Sequence, residues 1–110
     1  MIQSDIPDQL YLQKQGEIAW LVLNRPEKRN ALTQAMWEKI PRLVAQAEGD
    51  RDIKILILRS STSKAFSAGA DIGEFGDINK DAARREANRE AVRRAQREVA
   101  RMSKPTIAMI

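Results

Sequence analysis

The chain predicts an α/β fold on three observations. Two β-prone runs flank a glycine near its start, at residues 10–15 and 18–23. An aliphatic run, Ile53-Lys54-Ile55-Leu56-Ile57-Leu58-Arg59, sits at mid-chain. The intervals on either side of that run carry helical periodicity, and a further aliphatic run closes the sequence. Strand, turn, helix, strand, helix, strand is an α/β order, with right-handed crossovers expected wherever the strands lie parallel.

Each element follows from its residues. Gly16 lies between the first two runs, a hairpin signal. Arg25-Pro26 ends the second strand, because proline cannot donate to a ladder and holds the residue before it extended. Thr33 is placed to cap a helix whose apolar stripe is Met36, Trp37, Ile40, Leu43, Val44 and Ala47. Gly49 predicts its C-terminal stop, and Pro41 predicts a kink rather than a break, since the stripe keeps its phase across it. The run at 53–59, nearly continuous aliphatic, predicts a strand covered on both faces. Residues 81–102 predict a long helix free of glycine and proline, with a thin apolar stripe of Ala87, Ala91, Val92, Ala95, Val99 and Met102. Arg85, Arg89, Arg93, Arg97 and Arg101 recur at i+4 and form a ladder along one face of it, with Glu86, Glu90 and Glu98 close enough to pair. No repeat, low-complexity linker or internal boundary divides residues 1–110, which make one domain at most.

Composition narrows the chemistry. With no histidine and no cysteine, this chain cannot assemble a Ser-His-Asp or Cys-His nucleophile or a His/Cys zinc site, and its scattered carboxylates offer no hard-cation loop, so no metal is expected. Backbone, carboxylates, lysines and arginines remain. Charged residues at 31% and apolar residues at 43% describe an ordinary water-soluble chain. No apolar run is long enough to span a bilayer, and the first residues lack the basic start and apolar core of a secretory signal. A cytoplasmic address is expected. The formal charge of +4 is concentrated in residues 80–104, where nine basic side chains face four acidic ones.

One loop stands out for chemistry. After the aliphatic strand comes Lys64-Ala65-Phe66-Ser67-Ala68-Gly69-Ala70-Asp71-Ile72, where three consecutive positions, Ala68, Gly69 and Ala70, carry almost no side chain. Two readings fit it. It is either a tight turn that needs glycine for its geometry, or a cradle of peptide N–H groups able to bind an anion or stabilise an oxyanion as it forms.

A second segment, Leu23-Asn24-Arg25-Pro26-Glu27-Lys28-Arg29-Asn30-Ala31-Leu32, and a third, Lys104-Pro105-Thr106-Ile107-Ala108-Met109-Ile110, stand in order around that loop. The three together resemble the crotonase superfamily of enoyl-CoA hydratases and isomerases, from about Leu10 to the last residue. The resemblance implies a crotonase-like ββα spiral core, of which this chain is the N-terminal portion, truncated before the second oxyanion-hole segment and before the acid/base glutamates. An aliphatic strand ending without a turn signal agrees with that expectation. The family's activity implies a coenzyme A thioester as substrate, no bound cofactor, a place in fatty-acid metabolism and a homo-oligomer, trimeric or hexameric. Carried over residue by residue, Ala70 gives the backbone N–H of the oxyanion hole. Ala68 and Ile72 line the coenzyme A moiety, and Asp71 shapes the turn. Arg29 and Ala31 border the nucleotide, with Arg29, and less specifically Lys28, meeting a phosphate. Asn30 is expected to bond backbone and hold the turn to the helix. Two departures concern the ligand contacts. Gly73 stands where a lysine or arginine is frequent, and Arg59-Ser60-Ser61-Thr62-Ser63 replaces a more glycine-rich turn.

Two other functions fit parts of the sequence. A non-catalytic relative would keep the fold and bind a partner. A nucleic-acid binder would use the ladder from Arg85 to Arg101, but its interleaved glutamates repel phosphate and no aromatic side chains accompany it, so nucleic acid is not the expected partner.

Overall fold

The computed structural model describes residues 8–71, 73 and 81–110. Strands β1 (Leu10–Gln15) and β2 (Ile18–Leu23) pair antiparallel across a turn in which Gly16 takes φ +59°, a left-handed value that glycine adopts without steric cost. A single 3-10 turn (Pro26–Lys28) leads to helix α1 (Gln34–Gly49), then to β3 (Ile55–Ser60), helix α2 (Ala82–Ala100) and β4 (Thr106–Met109). The sheet order is β1-β2-β3-β4, with β3 parallel to both β2 and β4. The two helices are therefore the crossovers, and they pack against each other.

Both helices cover the same sheet face. Ala19, Leu21 and Leu23 of β2 and Leu56 of β3 meet Met36, Ile40, Leu43, Val44 and Ala47 of α1 and Ala95 of α2 in one buried cluster. This corrects the expectation that the aliphatic strand is covered twice. Of β3 only Leu56 is buried, while Ile55 and Ile57 on its other face are half-buried. The strand also begins later than its apolar run. The N–H of Ile53 donates to the Asp50 carbonyl in the preceding turn, so Ile53 is buried outside the ladder.

Helix α1 starts as its residues require, with Thr33 Oγ1 accepting from the Met36 N–H at 3.2 Å. It runs unbroken through Pro41 to Gly49. It stops there, though not by the left-handed glycine that its sequence suggests: Asp50 is extended (φ −90°, ψ 112°), and the Lys104 ammonium donates to the carbonyls of Ala47 and Asp50 at 2.6 and 2.7 Å. A cation on the last carbonyls satisfies them and complements the helix dipole. Beside it, the Glu48 carboxylate accepts from the Ser103 N–H and hydroxyl, fixing the turn before β4 to the end of α1.

Helix α2 begins at its own cap, Asp81 Oδ1 accepting from the Arg84 N–H at 2.7 Å. Ala91 and Ala95 are buried and Val99 and Met102 pack on the core, whereas Ala87 is exposed. The arginine ladder lies in solvent. Arg89 pairs with Glu86 at 3.0 Å, and Arg97 lies 3.9 Å from Glu90. No described helix is long and apolar enough to cross a membrane.

Candidate functional site

The turn after β2 and the loop after β3 are zipped together by backbone. Arg29 and Asn30 both adopt left-handed conformations, φ 52° and 57°. Such a pair of non-glycine residues is costly unless the surroundings hold it. Asn30 supplies the hold. Only 1% exposed, it accepts at Oδ1 from the Arg25 N–H (2.7 Å) and donates from Nδ2 to Ser60 Oγ (2.7 Å) and to the Phe66 carbonyl (2.9 Å). The expectation that Asn30 ties the turn to the helix is thus corrected: it ties the turn to the end of β3 and to the small-residue loop.

From there the two segments run side by side. The Ala68 N–H donates to the Arg29 carbonyl, Ser67 Oγ donates to the Asn30 carbonyl, and the Leu32 N–H donates to the Gly69 carbonyl, at 2.9, 2.9 and 2.7 Å. The Asp71 N–H donates in turn to the Leu32 carbonyl at 2.9 Å. Leu32 and Ala70 therefore form a parallel bridge whose hydrogen bonds use the neighbours of Ala70 and not Ala70 itself. In such a bridge the N–H and C=O of the central residue point away from the partner strand. The Ala70 N–H has no acceptor among the described residues, and Ala68, Gly69 and Ala70 are exposed. Gly69, at φ +89°, makes the bend that a side chain would resist.

Behind Ala70 lies an ion pair. Arg25 Nη1 stands 2.6 Å from Asp71 Oδ2 and also donates to the Ala31 carbonyl at 3.1 Å. The two side chains are 13% and 15% exposed. The Gly73 N–H donates to Asp71 Oδ1 at 2.8 Å. The guanidinium first, and then the Gly73 N–H, hold the Asp71 carboxyl below its ordinary 3.8. A carboxyl depressed in the fold contributes stability that is present above its unfolded value and lost as pH falls through its folded one. The stability gap between the natural chain and Asp71→Asn is therefore expected to be constant above about pH 5 and to close in more acid solution, as read by denaturant melts across a pH series.

Two hollows flank this frame. An apolar cleft of about 530 Å³, walled by Leu23, Leu32, Trp37, Leu58, Phe66 and Val99, runs under Ser67 and Gly69. On the other side a polar hollow of about 480 Å³ is lined by Pro26, Glu27, Arg29, Asn30, Thr62, Lys64 and Ala65. Arg29, Lys28 and Lys64 are exposed. Ala31 belongs to the frame through its carbonyl, and Ile72 lies outside the described residues. Sequence reasoning missed the cleft walls Trp37 and Phe66, the cation Lys64 and the ion-pair partner Arg25. For Arg25 a signal existed, since a charged residue ending an apolar strand needs a partner once it is buried.

With this geometry in view, the likeness to known proteins is decisive. Residues 18–110 match the enoyl-CoA hydratase/isomerase family, from β2 through the loop to the last residue. The chain belongs to that family. Among relatives, the short-chain-enoyl-CoA hydratase of Clostridium acetobutylicum is 34% identical over 68 residues, covering 62% of this chain and 26% of that protein. The mitochondrial 3-hydroxyisobutyryl-CoA hydrolase of Gallus gallus is 32% identical over 109 residues, covering 97% of this chain and 28% of its own. A solved structure, an enoyl-CoA hydratase/isomerase family protein from Hyphomonas neptunium, superposes with a TM-score of 0.89 at 37% identity over 93% of this chain and 39% of that one. This enoyl-CoA hydratase/isomerase family chain thus spans about a quarter of the relatives' length and two-fifths of the solved structure. The crotonase-type fold expected from the three motifs is the fold it has.

Proposed function

We propose that this chain carries the oxyanion-binding half of an acyl-CoA-processing enzyme, acting on an enoyl thioester by hydration or isomerisation. The observation that carries the reading is the Ala70 N–H, which the Leu32–Ala70 bridge leaves without an acceptor among the described residues, next to Gly69 in the wall of an apolar cleft. A thioester carbonyl oxygen placed on that N–H gathers negative charge when water adds to the conjugated double bond or when a proton leaves the α-carbon. A fixed donor is worth most at that moment, because it costs no reorganisation. The apolar cleft suits the acyl chain. Asp71 is spoken for by Arg25 and Gly73 and shapes the loop instead of moving protons. Such proton chemistry around a thioester needs no further cofactor. The reading extends to a cytoplasmic homo-oligomer in fatty-acid metabolism, with Ala68 and Ile72 against the coenzyme A arm and Arg29, with Lys64 beside it, toward the nucleotide phosphates.

The test uses the intact protein with coenzyme A esters and with the matching pantetheine esters, which lack the nucleotide. Arg29→Ala is expected to weaken coenzyme A ester binding about fivefold to thirtyfold, the worth of a charge-assisted hydrogen bond at a partly exposed site. Turnover at saturation should be unchanged, because a remote phosphate contact holds ground state and transition state alike. The loss should shrink as salt rises, and pantetheine esters should be indifferent to the change. Equal losses for both ester classes would show that Arg29 acts through the fold and overturn its assignment to phosphate. No binding or turnover of any acyl-CoA by the natural protein would overturn the function.

A further inference from the structure

We propose that Arg25 is a positioning residue for the oxyanion donor, orienting the Ala70 N–H through Asp71; the inference rests on the assignment of Ala70 as that donor. The direction of an N–H is fixed by the peptide plane it belongs to, and here that plane is the Gly69–Ala70 peptide. Its carbonyl end is anchored by the bond from Leu32 to the Gly69 carbonyl, and the following Ala70–Asp71 peptide by the bond from Asp71 to the Leu32 carbonyl. Those two bonds set the distance between the segments. The Ala70 side chain is a single exposed methyl group, which adds little restraint against rocking of the loop about the line joining them.

Arg25 supplies the restraint against that rocking. A single guanidinium nitrogen is bonded to both sides of the bridge at once, to Asp71 Oδ2 at 2.6 Å on the loop and to the Ala31 carbonyl at 3.1 Å on the turn. The side chain leaves the chain at the residue whose own N–H is held by buried Asn30, so its root is as fixed as its tip. The pair is largely shielded from water, which preserves its strength in salt. Arg25 Nε is buried with no partner among the described residues, so the geometry at Nη1 is kept at the cost of an unmet donor. Gly73 completes the clamp. Its N–H reaches the other carboxylate oxygen, and a Cβ there would stand 3.0 Å from that same oxygen, a tight approach that a larger residue meets only if the Asp71 carboxylate gives by a few tenths of an ångström. The position at which a cation was expected is thereby occupied by a residue that serves the donor loop. A lysine at position 25 also offers one charged nitrogen to both partners, but on a flexible stem in place of a rigid planar group.

The experiment reads the carbonyl stretching frequency of a bound α,β-unsaturated acyl-CoA, isotopically labelled at the thioester carbon, on the intact protein. Donor alignment moves that band, and a merely structural role does not. Arg25→Met is expected to lose at least half of the shift and to lower kcat about tenfold to a hundredfold, the cost of a misplaced donor, with KM changed less than threefold. Arg25→Lys should fall between Met and the natural residue. Asp71→Asn keeps the shape of the carboxylate and removes its charge, so it decides the matter should Arg25→Met fold poorly, and it should lose the shift to a similar extent. The double variant should be no worse than the poorer single, since both act through one contact. Ala70→Pro serves as the reference. A band that stays shifted in Ala70→Pro would overturn the donor assignment itself. A band lost in Ala70→Pro but intact in both Arg25→Met and Asp71→Asn would overturn this inference alone.

Discussion

Asn30→Ala is expected to lower the stability of the protein by about 3–5 kcal/mol, more than any other single change in the frame around the site. The side chain is buried at 1% exposure and nearly saturated, Oδ1 taking the Arg25 N–H and Nδ2 reaching Ser60 Oγ and the Phe66 carbonyl. Truncation leaves a part-buried backbone donor and a part-buried backbone acceptor without partners, each costing about 1–3 kcal/mol. Alanine also tolerates φ 57° less well than asparagine, adding about 1 kcal/mol. Two further variants separate these terms. Asn30→Gly should recover about 1 kcal/mol by relieving the left-handed strain while leaving the hydrogen bonds unmade. Asn30→Asp keeps the acceptor for Arg25 but sets an anion against the Phe66 carbonyl, so it should not recover stability at neutral pH. Urea denaturation of the intact protein reads all three. A loss under about 1 kcal/mol for Asn30→Ala would mean that the two segments are held together mainly by their backbone bonds.

The contrast between what these residues announce and what they hide follows from how far apart the partners lie in sequence. The bounds of β1 and β2 and the Thr33 cap rest on neighbours within a few positions, and they stand where local chemistry puts them. The small-residue loop was legible for the same reason. Other features depend on contacts that no local pattern encodes. Arg25 meets Asp71 across 46 positions, Asn30 meets Phe66 across 36, and Lys104 closes α1 across 57. The aliphatic run of β3 gave too much burial for a similar reason. Its apolar character is equal on both faces, but both crossover helices pack on one, so Ile57 keeps partial exposure while its neighbour Leu56 is fully buried. Motif resemblance named Ala70 as the site. The structure adds the reason that position is available: the bridge to Leu32 engages residues 69 and 71 and leaves the N–H between them without an acceptor among the described residues.

That unused N–H sets the largest expected effect on activity. Ala70→Pro is expected to lower kcat on acyl-CoA substrates by about a hundredfold to a thousandfold, the usual worth of one oxyanion donor at roughly 3–4 kcal/mol of transition-state stabilisation. A backbone donor is indifferent to ordinary side-chain changes, so proline is the substitution that reaches it. The change is unusually clean here. The ladder bonds belong to Gly69 and Asp71, and the left-handed bend belongs to Gly69, so proline at position 70 deletes no hydrogen bond within the described protein. Ala70→Gly retains the N–H and should keep most of the activity, which distinguishes loss of the donor from loss of the small side chain. Binding of free coenzyme A, which lacks the thioester carbonyl, should survive Ala70→Pro, because the nucleotide contacts are assigned to Arg29 and not to Ala70. Turnover measured beside a thermal melt separates the outcomes. A hundredfold loss of kcat with an unchanged melt supports the donor role. Ordinary turnover in Ala70→Pro on every acyl-CoA tested would remove Ala70 from the reaction, and a collapsed melt would place its N–H in the fold.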